Sequence, residues 1–567
     1  MGASRRRTTA VTDSGIGRRS ILRAGALLGA LALAGCTATP DGKATASATA
    51  SGTARPPHAT FTFATAAPPS GLDPALATDT ETHRITRQIM EGLVGADPLT
   101  SAPTPLLAES WTQSEDGRTY TFTLRKGVTF HDGQPLNAAA VCANFDRWYN
   151  LPVSARGSDN LAYKAVFNAY SDSPDLAVYK SSTAVDEYTV RIELATRLTG
   201  LIPALASPEF AISSPKALKD SDANALGVEH DGQQISKYAL RPVGTGPFRF
   251  ESWEGDEVRL AAYPDYWGDR GQISTLVFKS MSSPESRLRA LKSGQVDGYD
   301  LVTVADVGDL ARAGMQIMQR DPYSVLYLGI NQAFPGMDNL LMRQGIAHAI
   351  DKSALLEGLF LNGTKPANQF VPEKLGVSSG SVTNYGYDPE KAKELFKEAG
   401  YDGAPLPFHY PRHVTRAYLP TPERVYAELS RQLTAAGLNI KPVPVDWSDD
   451  YLHGVQGSGD RALHLLGLSG TYNDPDNFVG TLFGSYTEEF ANDDAQLLSK
   501  IDRARTLAAG PEQTEAYTAI SDRISTRVPA VPLAFPISAL AFSPRVAAYP
   551  TSPMLHEVFN RIQLREQ

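Results

Sequence analysis

The residue types that most often perform catalysis do not form a recognisable pattern in this sequence. His409 and His413 are four residues apart, as two metal ligands on one helix face would be, but Pro411 between them argues against a shared helix. The glycine-rich string 454–459 lacks the Lys-Ser or Lys-Thr of a phosphate-binding loop, and we interpret it as an ordinary loop. No nucleophile–base pair is visible. The sequence therefore predicts a protein that is not an enzyme and that uses no metal or other cofactor.

The clearest chemical prediction concerns Cys36. Residues 1–35 combine six arginines with an apolar run at 24–34, which is typical of an export signal and is about half the roughly 20 residues that a membrane span needs. Residues 18–23 (RRSILR) resemble a twin-arginine signal, and residues 33–36 (LAGC) resemble the lipobox of bacterial lipoproteins. The resemblance implies that 1–35 is a signal peptide and that Cys36 is diacylated on its sulfur. We therefore expect a lipid-anchored protein on the outer face of the cytoplasmic membrane.

The segment that follows Cys36 predicts a tether. Residues 36–58 are small and polar and show no apolar periodicity, so we expect a lipidated flexible tether. The only other cysteine is Cys142, which we interpret as a small buried apolar residue, and no disulfide between two free thiols can form. Removal of 1–35 changes the formal net charge from −9 to −14, which disfavours nucleic acid and an anionic lipid surface as partners. The membrane is expected to be contacted through the lipid anchor only.

From residue 59 onward, the sequence mixes the alternation of strands with the helical spacing of apolar residues. A content of 42% hydrophobic and 20% charged residues is typical of a folded globular protein, and 567 residues exceed one ordinary core. We predict strands at 119–124, 257–260, 275–278 and 439–445, and helices at 137–149, 343–359, 388–399 and 422–437. The fold class is therefore α/β.

Six blocks of sequence, spread over nearly all of residues 60–565, share one arrangement. They are 107–141, 241–268, 291–302, 331–352, 385–401 and 470–483. In this order they resemble the dipeptide/oligopeptide class of ABC-transporter substrate-binding proteins, the bacterial extracellular solute-binding proteins of family 5. One such block could arise by chance, but six in order could not.

The resemblance implies a two-lobed, hinged periplasmic-binding-protein fold of class II, with an extra domain inserted in the first lobe. The chain is then expected to cross the hinge twice. Carried over to this sequence, lobe I is 59–100, 206–320 and 535–567, the extra domain is 101–205, and lobe II is 321–534. The ligand is expected to lie between the lobes, where hinge rotation removes water from all of its contacts together.

The resemblance also implies a binding site for a short peptide. A peptide is a zwitterion, so its burial requires a cation for the carboxylate and an anion for the amine. Arg416, in a segment that also contains Tyr418, matches the loop whose arginine binds the ligand carboxylate, and its planar fork can bond both oxygens. Trp447 matches a pocket tryptophan, and Thr78 matches a polar contact from lobe I.

Two positions depart from the dipeptide-binding pattern, around Gly470. Thr471 stands where those proteins have an aspartate that pairs with the ligand amine, and Leu468 stands where they have a tryptophan. Loss of such a charge partner typically costs roughly 3–5 kcal/mol. Either Asp474 or Asp476 replaces the aspartate, or the ligand has no free amine at this position.

The sequence predicts an extracytoplasmic solute-binding lipoprotein, monomeric, that captures a short peptide and delivers it to the permease subunits of an ABC importer. Because the usual amine partner is missing, other ligands are alternatives: an oligosaccharide, an amino-acid conjugate or a metal chelate. A sensory lipoprotein that presents its ligand to a receptor is a further alternative, and neighbouring genes for permeases and ATPases would favour transport. An extracytoplasmic enzyme such as a peptidase would need a nucleophile–base pair or a metal cluster.

Overall fold

A computed structural model describes residues 59–156, 161–230, 232–377, 380–457 and 459–565. The predicted signal peptide, the tether and Cys36 lie outside these residues, so all three stay predictions. In the described ranges, no helix combines the length and the hydrophobicity that crossing a membrane requires.

The first of three main sheets, the large sheet, has seven strands. In spatial order they are Phe248–Glu254, Glu257–Ala262, Ile273–Ser280, Ala59–Thr65, Gly298–Asp300, Ser538–Phe542 and Gln316–Arg320. Successive side chains point to opposite faces. Phe63 therefore packs in one apolar cluster and Ala64 in another, as do Leu540 and Ala541. Both faces of the large sheet are thus covered.

The second main sheet, the six-stranded sheet, forms the centre of another apolar core. Its strands in spatial order are Lys365–Pro366, Ala530–Phe535, Ser324–Ile330, Leu463–Ser469, Leu406–Arg412 and Ile440–Asp446. All seven residues of Ser324–Ile330 are buried, as expected for a strand with neighbours on both sides and helices on both faces.

The chain passes between these two sheets at two places. Gln316–Arg320 of the large sheet is followed after three residues by Ser324–Ile330 of the six-stranded sheet. Ala530–Phe535 of the six-stranded sheet is followed after two residues by Ser538–Phe542 of the large sheet. Two short crossovers between two separately packed sheets are the architecture expected of two lobes on a hinge, and the predicted fold class is confirmed.

The third main sheet is antiparallel and has four strands. Their order is Ala108–Gln113, Thr119–Leu124, Thr189–Leu194 and Tyr179–Asp186. Thr119–Leu124 alternates as predicted, with Tyr120, Phe122 and Leu124 buried. Helix Ala138–Tyr149, capped by the Asn137 side chain, packs on this sheet. Helix and sheet together form an apolar cluster that is separate from the clusters of the other two sheets. The sheet lies within the predicted extra domain, whose boundaries stay a prediction, as do those of both lobes.

Helices and small strand pairs complete the described fold. The α-helices are Thr80–Ile89, Ala138–Tyr149, Ala162–Phe167, Leu201–Ala204, Pro215–Asp220, Pro284–Lys292, Val304–Arg312, Leu340–His348, Lys352–Leu356, Pro389–Glu398, Pro422–Ala435, Tyr451–Gln456, Asp476–Phe483, Ala495–Thr506 and Pro511–Arg527. Two-stranded pairs join Val94–Ala96 to Pro103–Pro105, Val228–His230 to Gln233–Ile235, and Val546–Ala548 to Gln563–Leu564.

Three details differ from the sequence predictions. The predicted helix 343–359 is two helices, because Asp351 caps a new one by accepting a hydrogen bond from the Ala354 N–H at 3.0 Å. The string 454–459, predicted as a loop, contributes its first residues to helix Tyr451–Gln456. Cys142 is half-buried rather than buried, because it lies at the edge of the apolar cluster under its helix.

Candidate functional site

Three parallel strands of the six-stranded sheet end at one edge. Leu406–Arg412 pairs in parallel with both Ile440–Asp446 and Leu463–Ser469. The carboxyl ends of parallel strands meet at the same edge, where α/β proteins commonly bind ligands. Arg416, Trp447 and Thr471 follow these three strands along the chain, so sheet topology gathers them at this edge, beside the crossovers to the large sheet.

Arg416 and Trp447 are in direct contact. The guanidinium carbon of Arg416 lies 4.2 Å from the centroid of the Trp447 ring, a cation–π contact. Two backbone hydrogen bonds of 3.0 Å between Arg416 and Leu419, one in each direction, close the loop that carries the arginine. The Arg416 Nε is buried and has no hydrogen-bond partner among the described residues. The ring therefore orients the guanidinium, while its hydrogen-bond donors stay available to a planar acid.

Tyr418 fixes the same loop against the sheet. Its ring packs on Gly467, where an added Cβ would lie 2.4 Å from the ring, so only glycine fits there. The side chain is buried, and burial raises the pKa of the Tyr418 hydroxyl to about 12, although the nearby Arg416 charge opposes the rise. Tyr418 is thus a neutral side chain that supports the Arg416 loop.

The segment 468–471 lies on the neighbouring strand end. An added Cβ on Gly470 would lie 2.6 Å from the Tyr323 ring, so glycine is required for this packing. The Thr471 N–H donates to Asn477 Oδ1 at 2.7 Å, and the Thr471 carbonyl accepts from His556 Nε2 at 3.1 Å. The last contact joins the segment to the chain near its C-terminus, which belongs to predicted lobe I.

The remaining two predicted residues contribute differently. Leu468 is half-buried, lies opposite Val325 in the sheet and packs against the core of the six-stranded sheet. Thr78 is exposed, one residue before Asp79, the N-cap of helix Thr80–Ile89. The structure therefore brings Arg416, Tyr418 and Trp447 together, places 468–471 on the adjacent strand end, and shows no hydrogen bond from Thr78 to any of them in the described residues.

The two carboxylates that could replace the missing aspartate have different surroundings. Asp476 pairs with Arg505 Nε at 2.8 Å. Asp474 has no ion pair among the described residues; burial, followed by repulsion from Asp476, raises its pKa to about 7. Its carboxylate lies against Gly200, where an added Cβ would be 3.1 Å from Oδ2. Asp474 is thus the carboxylate of the two that lacks a cation.

Sequence reasoning missed a buried charge network at the strand ends of the large sheet. Asp300, at the end of its strand, accepts from Arg320 Nη1 at 2.6 Å and from Arg84, and Arg320 Nε donates to Glu557 at 2.6 Å. All four side chains are at most 2% exposed. Burial alone would raise the pKa of the Asp300 carboxyl, but Arg320 and Arg84 lower it to about 2. Arg84 lies 216 residues from Asp300, and Glu557 lies 237 residues from Arg320, so the complete network leaves no local sequence signal.

A second missed feature joins the segment after Thr471 to the predicted extra domain. Tyr472 is part of the apolar cluster under the four-stranded sheet. Arg505, besides binding Asp476, donates to Asn168 Oδ1 at 2.8 Å and to the Ala165 carbonyl at 3.2 Å. The Thr199 N–H donates to the Arg505 carbonyl at 3.1 Å. This interface couples predicted lobe II to the domain inserted in lobe I.

Comparisons with known proteins identify the family and the fold. The family model "Bacterial extracellular solute-binding proteins, family 5 Middle" matches residues 102–490. The heme-binding protein A of Haemophilus influenzae is 30% identical over 88% of this chain and 91% of its own length. The dipeptide-binding protein of Escherichia coli is 29% identical over 76% of this chain and 79% of its own length. An ABC transporter-associated periplasmic binding protein of Helicobacter pylori, solved with the peptide STSA, superposes with a TM-score of 0.78 at 24% identity and covers 90% and 99% of the two chains.

These relatives are solute-binding proteins rather than enzymes. In the part of the chain that the structure describes, no group of three or more His, Cys, Asp or Glu side chains is arranged to hold a metal ion. The candidate site is thus a set of binding groups at the carboxyl edge of the three parallel strands in the six-stranded sheet.

Proposed function

We propose that this protein captures a short peptide between its lobes and delivers it to an ABC importer. The chain belongs to the bacterial extracellular solute-binding proteins of family 5. The family assignment rests on the model match over 102–490 and on the full-length relatives. The observation that carries the peptide proposal is the Arg416 guanidinium held over Trp447 at the ligand-binding edge of the six-stranded sheet.

Arg416 is the proposed partner of the peptide carboxylate. Its Nε is buried without a partner, and a buried donor left unsatisfied costs about 1–3 kcal/mol. A carboxylate can accept two parallel N–H bonds from one guanidinium and so satisfy this donor. Trp447 supports the arrangement because its ring holds the guanidinium without competing for its hydrogens. The dipeptide-binding protein of Escherichia coli and the Helicobacter pylori structure with the peptide STSA support the same ligand class.

The partner of the peptide amine is proposed to be Asp474 rather than Thr471. Thr471 uses its backbone N–H and carbonyl for Asn477 and His556, and its side chain carries no charge. Asp474, three residues further, is a buried carboxyl group that forms no ion pair with any described residue. A ligand ammonium would supply a cation and lower the Asp474 pKa, since an opposite charge favours the ionised form.

Our proposals for membrane anchoring and oligomeric state are those made from the sequence. We propose that Cys36 is lipidated after export through the twin-arginine route, so that the monomeric domain stands on the outer face of the cytoplasmic membrane. Two or more acyl chains give stable anchoring, because each buried CH₂ contributes about 0.8 kcal/mol. The tether 36–58 would let the domain reach the permease subunits.

Native mass spectrometry of the purified protein tests the ligand class. We expect an added mass that fits a short peptide and that is released on mild unfolding. Tandem fragmentation should give peptide backbone ions. A co-purified oligosaccharide or metal chelate, with no peptide bound after exchange against a peptide mixture, would contradict the proposal.

A non-peptide solute is the second candidate, and two observations favour it. Thr471 leaves the position of the usual amine partner uncharged, and a relative is named for heme rather than for a peptide. A neutral oligosaccharide would not need the Arg416 charge, so its binding would not depend on the guanidinium. A sensory role, with presentation of the ligand to a receptor, would leave the same binding site in use.

A further inference from the structure

A cavity of about 280 Å³ lies apart from the candidate peptide site. Four chain segments and Leu106 form its wall: 87–94, 206–211, 266–269 and 558–561. None of the seven predicted peptide-site residues lines the cavity, and no residue of predicted lobe II (321–534) does so. Its inner wall contains buried residues such as Met90 and Pro208, and exposed Arg561 lies at its rim. Its described lining residues therefore belong to predicted lobe I and, through Leu106, to the predicted extra domain.

Arg87 brings a positive charge to this wall. It lies on helix Thr80–Ile89 and is half-buried; burial lowers its pKa to about 10, against the attraction of Glu209 and Glu557, so it stays charged at neutral pH. Both acids bind elsewhere, Glu557 to Arg320 at 2.6 Å and Glu209 to His83 at 3.6 Å. Within the described residues, Arg87 has no hydrogen-bond or ion-pair partner of its own.

Two further polar side chains of the wall differ in what they can still bind. Glu91 is fully committed, since its oxygens accept from Thr245 Oγ1, Tyr266 Oη and Trp267 Nε1, each at 2.8 Å. Asn560 is 7% exposed and donates its amide hydrogen to a backbone carbonyl, but its Oδ1 is buried with no partner among the described residues. Among the described lining residues, half-buried Arg87 is thus a cation without a partner and Asn560 Oδ1 is a buried acceptor without one, while exposed Asp269 and Arg561 add one charge of each sign.

We propose that this cavity is a second binding site, for a small organic acid with a hydrogen-bond donor. The carboxylate would pair with Arg87, the donor would meet Asn560 Oδ1, and an apolar body would pack against Met90, Pro208 and Trp267. An engineered apolar cavity of about 150 Å³ holds benzene, so a cavity of about 280 Å³ suits roughly ten non-hydrogen atoms. Such a ligand would not be the transported peptide, because it contacts neither Arg416 nor Trp447.

The test uses benzoate, 3-hydroxybenzoate, 4-hydroxybenzoate and the uncharged benzamide as probes. Ligand-observed NMR with the full chain would measure their dissociation constants. We expect at least one hydroxybenzoate to bind more tightly than benzoate, and benzamide not to bind. Arg87→Met should weaken the acids by about tenfold to a hundredfold, because it removes a charge-assisted hydrogen bond. Asn560→Leu should remove the advantage of the hydroxyl group.

Two matched variants separate this site from the peptide site and from loss of folding. Arg312→Met, at an arginine side chain that is 76% exposed and outside the cavity, should bind the acids as the unaltered protein does. Arg416→Ala should also retain them, whatever it does to peptides. Leu106→Trp fills the cavity from a half-buried wall position and should abolish binding of the acids. This variant replaces Arg87→Met as the test if the thermal transition shows that Arg87→Met is unfolded. Absence of binding by all three acids at millimolar concentration, or binding that neither Arg87→Met nor Leu106→Trp weakens, would overturn the proposal.

Discussion

Replacing Asp474 by asparagine should stabilise the protein at neutral and higher pH, and should have little effect at acidic pH. The side chain is 7% exposed and its Oδ1 accepts the Asp476 N–H at 2.8 Å, a bond that an asparagine oxygen can also accept. Burial, with repulsion from Asp476 as the second cause, raises the pKa of the Asp474 carboxyl from 3.8 to about 7. Around it, Tyr323 and Tyr472 are kept neutral by burial, and Arg505 is bound to Asp476.

The sign and size of the effect follow from this shift. A raised carboxyl pKa means that the folded protein binds the proton more tightly than the unfolded chain. Below the pKa of the unfolded chain, the Asp474 carboxyl is protonated in both states and does not lower the free energy of unfolding. As the pH rises from about 4 to about 7, the unfolded chain loses this proton first, and the folded state therefore loses stability. A rise of roughly three pKa units corresponds to about 4 kcal/mol at about 1.36 kcal/mol per unit. Asparagine does not ionise, so the variant should gain up to this amount over the unaltered protein as the pH rises.

Differential scanning calorimetry of the ligand-free protein between pH 4 and pH 8 measures the effect. The melting temperature of Asp474→Asn minus that of the unaltered protein should increase with pH and level off above the Asp474 pKa of about 7. Asp321→Asn, at a side chain that is 72% exposed, is the matched control and should show a difference that does not change with pH. A difference for Asp474→Asn that is flat, or that falls as the pH rises, would refute the account of this buried carboxyl.

Three further predictions concern export, closure and amine recognition. Cys36→Ala should release the folded protein from the membrane fraction, and a variant that still pellets with the membrane would contradict this prediction. Arg18-Arg19→Lys-Lys should block export of the protein, and normal export of this double variant would contradict the twin-arginine route. Saturating ligand should reduce the radius of gyration in small-angle scattering, because closure brings the two sheets together; an unchanged profile with proven binding would rule out closure. Thr471→Asp should add a second carboxylate near the amine that Asp474 is proposed to meet, so peptides with a free α-amine should bind more tightly, by up to about a few kcal/mol, and N-acetylated peptides should not gain. Equal gains for both peptide sets would show that the new carboxylate does not meet the amine.

Local elements were predictable from the sequence wherever a local signal decides them. Asp388 and Pro389 begin helix Pro389–Glu398 as expected, with the Asp388 side chain accepting the Lys391 N–H at 2.9 Å. Helix 343–359 was predicted as one element because its apolar spacing continues through Asp351, and the cap at Asp351 overrides that spacing. Residues 451–456 form a helix despite Gly454, since burial of Tyr451 and Val455 outweighs the weak helix propensity of glycine.

The site was predictable in part. Resemblance to the family named Arg416 and Trp447 as site residues, but not their contact, which arises because two parallel strands end at the same edge. The charge network of Arg84, Asp300, Arg320 and Glu557 was not predictable, because Arg84 and Glu557 lie more than 200 residues from Asp300 and Arg320 and each residue has an ordinary sequence environment. The same reason hid the Arg505 interface with Asn168, and the cavity beside Arg87.

Calorimetry of the Arg416→Ala variant tests the central proposal most directly. The titrants are a short peptide with a free carboxylate and the same peptide amidated at its C-terminus. If Arg416 binds the peptide carboxylate, the unaltered protein should prefer the free acid by roughly 3–5 kcal/mol, or about two to four decades of affinity, and Arg416→Ala should lose this preference. A variant that binds the free acid as tightly as the unaltered protein does would contradict the peptide site, and a neutral solute would become the leading ligand.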